Sequence, residues 1–239
     1  MLKYKTIIMN VYYFRARLFP AVLTSIPIFV LVHSIILKNY KEELIPILPI
    51  LPILSSMGVS FALMFILIQI NRVLSKEIFQ RFYFKDELNM PTTNFLMWKD
   101  EFYDDSIKLK IQQKIQSMYN IELYSKIDEI QNEDSARKRV AIAVSQIRNG
   151  LRGNDMLFQH NVEYGFFRNL IGGCVIAVIL SSLIFFIAYS HGDMSLQNIG
   201  LVLFVIYLIP LLLSKKILRI FGNNYAKILF EQFLSISTI

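Results

Sequence analysis

The sequence has a single cysteine, Cys174, which excludes an intramolecular disulfide and any thiolate-built zinc site. Histidine is almost as scarce: His33, His160 and His191 are too few and too scattered for a histidine metal centre. There is no glycine-rich phosphate loop, no His-Glu-x-x-His, no Gly-x-Ser-x-Gly and no carboxylate-rich metal motif. His160 has Asn161 and Glu163 beside it but no further ligands, and reads as a hydrogen-bonded residue. An enzyme is therefore not expected, and neither is a cofactor or a metal. Charge is scarce too: 18% of the 239 residues are Asp, Glu, Lys or Arg, where a soluble domain has about 25%. Apolar residues fill the deficit, at 54% of the chain with a mean hydropathy of +0.46. An ordinary water-soluble globule is excluded.

The apolar surplus is concentrated in stretches long enough to cross a bilayer as helices, which takes roughly 20 residues each. Four are expected, at residues 18–37, 52–70, 170–189 and 196–213. Pro52 suits a helix start and Pro210 predicts a kink near the end of the fourth. The first run exceeds a signal-peptide core of about 7–15 residues, and no small-residue cleavage site follows it, so it reads as a span. Lys3, Lys5, Arg15 and Arg17 precede the first span, and Lys215, Lys216, Arg219 and Lys227 against Glu231 follow the fourth. The loop of Lys38, Lys41, Glu42 and Glu43 cancels, and the last loop holds only Asp193. Basic residues mark the cytoplasmic side, so both termini and the long middle segment are expected on the cytoplasmic side of the membrane.

Residues 71–169 have the balance of a soluble domain, with 15 basic and 14 acidic side chains. Their patterning is helical, with no convincing period of two. The expected fold is thus an all-α membrane protein: spans 1 and 2 in residues 1–70, a cytoplasmic helical domain at 71–169, spans 3 and 4 in 170–213, and an amphipathic cytoplasmic tail at 214–239. The second span is expected to continue inward through Phe79, with Phe79, Phe82, Tyr83 and Phe84 as boundary aromatics. Pro91 to Asn94 reads as a breaker, and Phe95, Trp98 and Phe102 pack a short helix after it. Ile107, Ile111, Ile115 and Met118 recur at helical spacing behind Asp104 or Asp105. Ser125, with Asp128 three residues on, is an expected N-cap of a helix reaching Gly150.

Within that helix Arg137, Lys138, Arg139, Arg148 and Arg152 are the candidate binding residues for an anionic ligand. Positions 137, 148 and 152 fall within about 60° of one another on a helical wheel. Val140, Val144, Ile147 and Leu151 form the neighbouring apolar stripe. Guanidinium forks suit phosphate, although a solvated face paired with Glu133, Asp134 and Glu163 accounts for the same residues. In the spans, Gly173, Ala177 and Ser181 repeat every fourth residue, as do Ser56 with Ser60 and Gly58 with Ala62. Such spacing permits close helix packing, within one chain or between subunits of a homo-oligomer. His33, Gln69 and Asn71 are polar groups that lipid penalises, and they are the candidates for a gate or pore lining. No acid-base relay, arginine ladder or inverted repeat is present, which argues against a pump, a voltage sensor or a secondary transporter.

Two signatures, Arg15-Ala16-Arg17-Leu18-Phe19-Pro20 and the run from Gln159-His160-Asn161 to Gly172-Gly173, resemble a family of bacterial membrane proteins of phage-defence operons. The layout of spans around a cytoplasmic helical domain is similar to the Hailong-type channel effectors and to related effectors of nucleotide signalling. The resemblance implies an oligomeric pore or channel controlled by a nucleotide or oligonucleotide from a companion nucleotidyltransferase. A non-enzymatic membrane sensor or scaffold that recruits a cytoplasmic protein is the alternative. The expected partners are membrane lipid, further copies of the chain and such a ligand, with no duplex nucleic acid.

Overall fold

A computed structural model describes residues 11–36, 59–85 and 87–236. The described residues are helical with no strand, in the order α1 (Tyr13–Ser34), α2 (Val59–Leu74), α3 (Pro91–Asn94), α4 (Asp105–Tyr119), α5 (Lys126–Gln131), α6 (Glu133–Gly150), α7 (Asp155–Ser190), α8 (Met194–Leu212) and α9 (Ser214–Ser235). Three of these, α1, α7 and α8, are long and apolar enough to cross a membrane. The expected second span begins outside the described residues, as do Lys3, Lys5, the first loop, Ser56 and Gly58; its remainder is the helix α2. Helical backbone continues from α2 through a widened π-turn, Ser75–Gln80, to Phe84, as the absence of glycine or proline predicts.

The chain divides into two compact units, one of residues up to Phe79 with Gly165–Ile217, the other of Gln80–Tyr164 with Leu218 onward. The boundaries between the units fall inside continuous helix.

In the first unit the helices alternate in direction. Ala16 of α1 lies level with Asn169 of α7, Thr24 with Gly173, and Val30 and Leu31 with Ile184. These pairings ascend together, so α1 and α7 run parallel. Along α2 the order reverses, with Asn71 beside Thr24 and Gly173 and Ser75 beside Asn169. In α8 it reverses too, since Leu196 packs on Ile184 and Ala188 while Tyr207 packs on Cys174 and Ala177. Much of the outward surface is apolar: Phe61 is 81% exposed and Phe186 66%, as lipid-facing side chains require. Pro210 sits two residues before α8 ends, where the freed carbonyl costs little.

The second unit has an aliphatic and aromatic core made by Leu96, Met97, Ile111, Ile115, Val144, Ile147 and Leu151. Its remaining wall comes from the C-terminal helix, where Ala226, Leu229, Phe230 and Phe233 are fully buried. This corrects the expected separate tail at 214–239: the 226, 229, 230, 233 spacing is a core-facing helical stripe, not a free amphipathic surface. The expected single helix from Ser125 to Gly150 is likewise two helices. Ser125 caps α5 through the Asp128 N–H at 3.3 Å, and Asn132 then caps α6 through the Ser135 N–H. Phe79 and Phe84 are buried while Phe82 is 80% exposed, so the boundary aromatics divide between packing and surface. Pro91 starts the short helix α3 at its first position rather than only breaking chain direction.

Candidate functional site

Two constellations stand out, one in each unit. In the second unit the expected arginine face does not form a cluster. Arg137 is buried and fully engaged: its Nε donates to Glu133 at 2.7 Å, and its Nη1 donates to Leu88 O at 2.8 Å and to Asn94 Oδ1 at 2.7 Å. It fastens the 88–94 segment to α6, which corrects its place among ligand-binding candidates. The physical reason is its position one turn before Val140 on the buried stripe, which helical spacing alone does not separate from the surface edge. Arg148 pairs with Glu87 at 2.9 Å, and Lys138 and Arg152 are exposed. Arg139 turns the other way, its Nη1 donating to Glu122 O at 3.3 Å and its guanidinium lying 4.8 Å from the Tyr124 ring.

Arg139 opens onto a groove of about 870 Å³ between α4 and the non-helical segment 120–125. Gln112, Gln113 and Gln116 line its α4 side, facing Tyr124, Lys126 and Asn132. Trp98 forms part of its wall and is held on three sides. Its Nε1 donates to Tyr124 O at 2.9 Å, its backbone N–H to Glu129 Oε2 at 3.0 Å, and its carbonyl accepts from Lys108 at 3.3 Å. Glu129 and Lys108 are both buried, and sequence reasoning missed each: charged residues in amphipathic helices read as solvent-facing. The lysine's second acceptor is Asp100 O, so its ammonium ties together the carbonyls of the 98–100 turn. Acidic side chains also reach the groove, with Asp105 paired to Lys126 at 3.3 Å. It therefore offers an aromatic face, amides that donate and accept, and Arg139 as the cation without a carboxylate partner among the described residues. Volumes of about 300–1,000 Å³ are typical of small-molecule sites.

Beside this wall, Lys99 at 2.5 Å and Arg137 at 2.7 Å hydrogen-bond one oxygen of Glu133 and hold its carboxyl below the ordinary value of 4.5. A carboxylate depressed in the folded state stabilises above its unfolded pKa and loses that contribution as pH falls through the folded one. Melting of the full chain is thus expected to fall more steeply below about pH 4.5 in the native protein than in Glu133→Gln. Parallel acid dependence of the two proteins would contradict it.

In the first unit a buried polar junction joins α1, α2 and α7. Asn71 Nδ2 donates to Thr24 Oγ1 at 3.0 Å, Ser75 Oγ to Asn169 Oδ1 at 3.4 Å, and Asn169 Nδ2 to Ala16 O at 2.6 Å. Gly172 and Gly173 make room for it: a Cβ on Gly172 would lie 2.2 Å from Asn71 O, and one on Gly173 2.4 Å from Asn71 Nδ2. Gly173, Ala177 and Ser181 all face inward within the chain. Of the gate candidates, Asn71 is 1% exposed and bonded between helices, Gln69 is half-buried and His33 exposed. Asn71 is corrected to an interhelical tie, because lipid rewards an amide that finds a partner on a neighbouring helix.

Among the described residues no group of three His, Cys, Asp or Glu side chains is disposed to hold a metal. His160 Nδ1 lies 3.3 Å from Glu163 Oε2 in the same helix but is buried without a hydrogen-bond partner, so the hydrogen-bonded environment expected of it does not form at that atom. Comparison with protein-family models, with curated proteins and with solved structures finds no match.

Proposed function

We propose that the protein is an oligomeric, four-span effector of the bacterial inner membrane whose helical unit receives a nucleotide-type ligand and whose spans open a conducting path. The observation that carries the ligand part is the Arg139 groove, where a guanidinium, a tyrosine ring, a fixed tryptophan and several side-chain amides line one cleft. Guanidinium suits phosphate, an aromatic face suits a base, and amides suit the base edges. The candidate ligand residues are accordingly narrowed from the five basic residues of the sequence to Arg139, with Lys126 beside it. Alternation of helix direction in the first unit supports four crossings, and the basic termini support a cytoplasmic placement of both ends and of residues 80–164. The phage-defence role is carried by the resemblance of the two sequence signatures. A ligand can open such a path only by binding the open state better than the closed one.

Trp98 is the single tryptophan of the chain and stands in the groove wall, so it reports occupancy directly. Titrating the full-length protein in detergent with purine and pyrimidine nucleotides or short oligonucleotides is expected to change its fluorescence saturably. Arg139→Gln is expected to weaken that response by about tenfold or more, the loss of one charge-assisted contact. Lys138→Gln, equally basic and exposed, is expected to leave it in place. A flat titration across these ligands, or an Arg139→Gln protein that titrates like the native one, would remove the ligand-receiving role.

A membrane scaffold that recruits a cytoplasmic protein is the second reading, and α5 favours it. Ile127 is 70% exposed and Ile130 81%, an apolar pair at i and i+3 on a short helix of the soluble unit. Ion flux in proteoliposomes separates the two: conductance belongs to the effector, and a stable protein complex without conductance belongs to the scaffold.

A further inference from the structure

The buried polar junction sets several cationic side chains at one level of the first unit. Arg15 and Arg17 flank Ala16, whose carbonyl accepts from Asn169. Arg72 and Lys76 flank Ser75, whose hydroxyl donates to the same Asn169, and Arg168 precedes Asn169 in α7. Leu211 packs with Leu170 and Cys174, so Lys215 and Lys216, one turn further on, come to the same end. Four separate stretches of chain thus bring bases to one rim. Glu77 is the one acid among the described residues of that end, whereas the turn Ser190 to Asp193 holds no lysine or arginine.

Arg15, Arg17, Arg72, Lys76, Lys215 and Lys216 have no carboxylate partner among the described residues, although all but Arg17 are well exposed. In the second unit Lys99, Lys126, Arg137 and Arg148 are ion-paired, whereas Lys138, Arg139 and Arg152 have no carboxylate partner among the described residues. Arg17 is held in place: its guanidinium lies 5.3 Å from the Tyr12 ring, and its Nε is buried without a hydrogen-bond partner. Below this rim the helices present apolar side chains outward, including Phe19, Val22, Ile70 and Leu212. Unpaired cations above an apolar wall match a molecule with an anionic head and hydrocarbon tails.

We infer that this rim is a binding belt for anionic phospholipid, the phosphodiester headgroup held by Arg15, Arg17, Arg72 and Lys76 and the acyl chains lying along α1 and α2. It rests on the membrane reading above, and it adds a headgroup class. Guanidinium forks donate paired hydrogen bonds to phosphate oxygens, and a cluster of bases next to a span draws anionic lipid in preference to neutral lipid. A belt that served only to orient the chain during insertion would show no such preference once the protein is folded.

The test is native mass spectrometry of the full-length protein in detergent, with phosphatidylglycerol or phosphatidylcholine of identical acyl chains added. Retention of phosphatidylglycerol about tenfold or more above phosphatidylcholine is expected. Combining Arg15→Gln, Arg17→Gln, Arg72→Gln and Lys76→Gln is expected to abolish the preference, and Lys138→Gln with Arg152→Gln on the second unit to leave it. Should the fourfold variant fail to fold, Arg72→Gln with Lys76→Gln, both exposed, is expected to reduce the preference severalfold. Equal retention of the two lipids, or a preference that survives these variants, overturns the inference. Displacement of phosphatidylglycerol by millimolar inorganic phosphate overturns it as well, because the belt would then be reading a free anion. Carbonate extraction of membranes distinguishes these results from failure of the membrane reading itself, in which case the chain is released from the bilayer.

Discussion

Gly172→Val is expected to be the most damaging single substitution in the membrane unit, lowering stability by about 4 kcal/mol. A Cβ at this position would meet Asn71 O at 2.2 Å and Ser75 N at 2.7 Å, backbone atoms of α2 and of the π-turn that continues it. Backbone cannot rotate aside as a side chain can, so α2 and α7 must separate. Overpacking costs about 1–3 kcal/mol where side chains can adjust. Separation here also loosens the Asn71 bond to Thr24 and the Ser75 bond to Asn169, each worth about 1 kcal/mol between helices in a membrane. Unfolding of the purified protein by a graded denaturing detergent, followed by circular dichroism, reads the loss. Ile179→Val, at a side chain 62% exposed on the same helix, is expected to be close to neutral. Equal unfolding curves for Gly172→Val and the native chain would mean that the junction does not hold the helices together.

The second large effect is expected at Arg137. Arg137→Met keeps the aliphatic stem but leaves Leu88 O and Asn94 Oδ1 without their donor and Glu133 with Lys99 alone. Hydrogen bonds from a charged group contribute about 1.5–3 kcal/mol, and buried acceptors left unmet cost about 1–3 kcal/mol, so a loss of about 3 kcal/mol is expected. Glu133 is 43% exposed, and its share of the loss is discounted for solvent screening. The damage is local. Hydrogen exchange in the full-length protein is expected to accelerate over residues 88–97, while Lys138→Met, on the exposed side of the same turn, changes stability by less than about 0.5 kcal/mol. A ligand-contacting Arg137 would behave otherwise, with exchange unchanged and only ligand affinity lost.

These two residues show how far the sequence could be read. The helical content, three of the four expected apolar runs, at residues 18–37, 170–189 and 196–213, and the stripe of Val140, Val144, Ile147 and Leu151 follow from hydropathy and period, and the long apolar helices Tyr13–Ser34, Asp155–Ser190 and Met194–Leu212 overlap those three runs. The caps at Ser125 and the inward run of Gly173, Ala177 and Ser181 are short-range signals and were equally legible. The arginines were not. A helical wheel groups Arg137 with Arg148 and Arg152, but whether an edge position is covered depends on what packs there. In this protein the 88–94 segment covers Arg137, Glu87 meets Arg148, and Arg152 stays open.

The groove was hidden for a related reason. Its walls come from residues as far apart as Trp98, Gln116, Tyr124 and Arg139, none of which forms a motif with its neighbours. Lys108 and Glu129 carry no mark of burial, because the carbonyls and N–H groups that satisfy them belong to a turn some distance away in the chain. The C-terminal stripe of Ala226, Leu229, Phe230 and Phe233 was visible as amphipathic, yet nothing local distinguishes a helix that coats a surface from one that completes a core.

What was settled in one dimension is the scarcity with which the chain begins: one cysteine, three histidines and too little charge to coat a soluble globule. Composition and periodicity are sums over neighbours, so helix type, apolar length and the basic bias of the termini could be read directly from the order of residues. Three-dimensional packing settled which charges are used up and which remain free. It turned Arg137 and Asn71 inward as ties, joined the C-terminal helix to the core of the second unit, and left Arg139 facing a groove. The physical reason is that a polar group's role depends on partners brought to it from elsewhere in the chain, and those partners are specified by the fold as a whole.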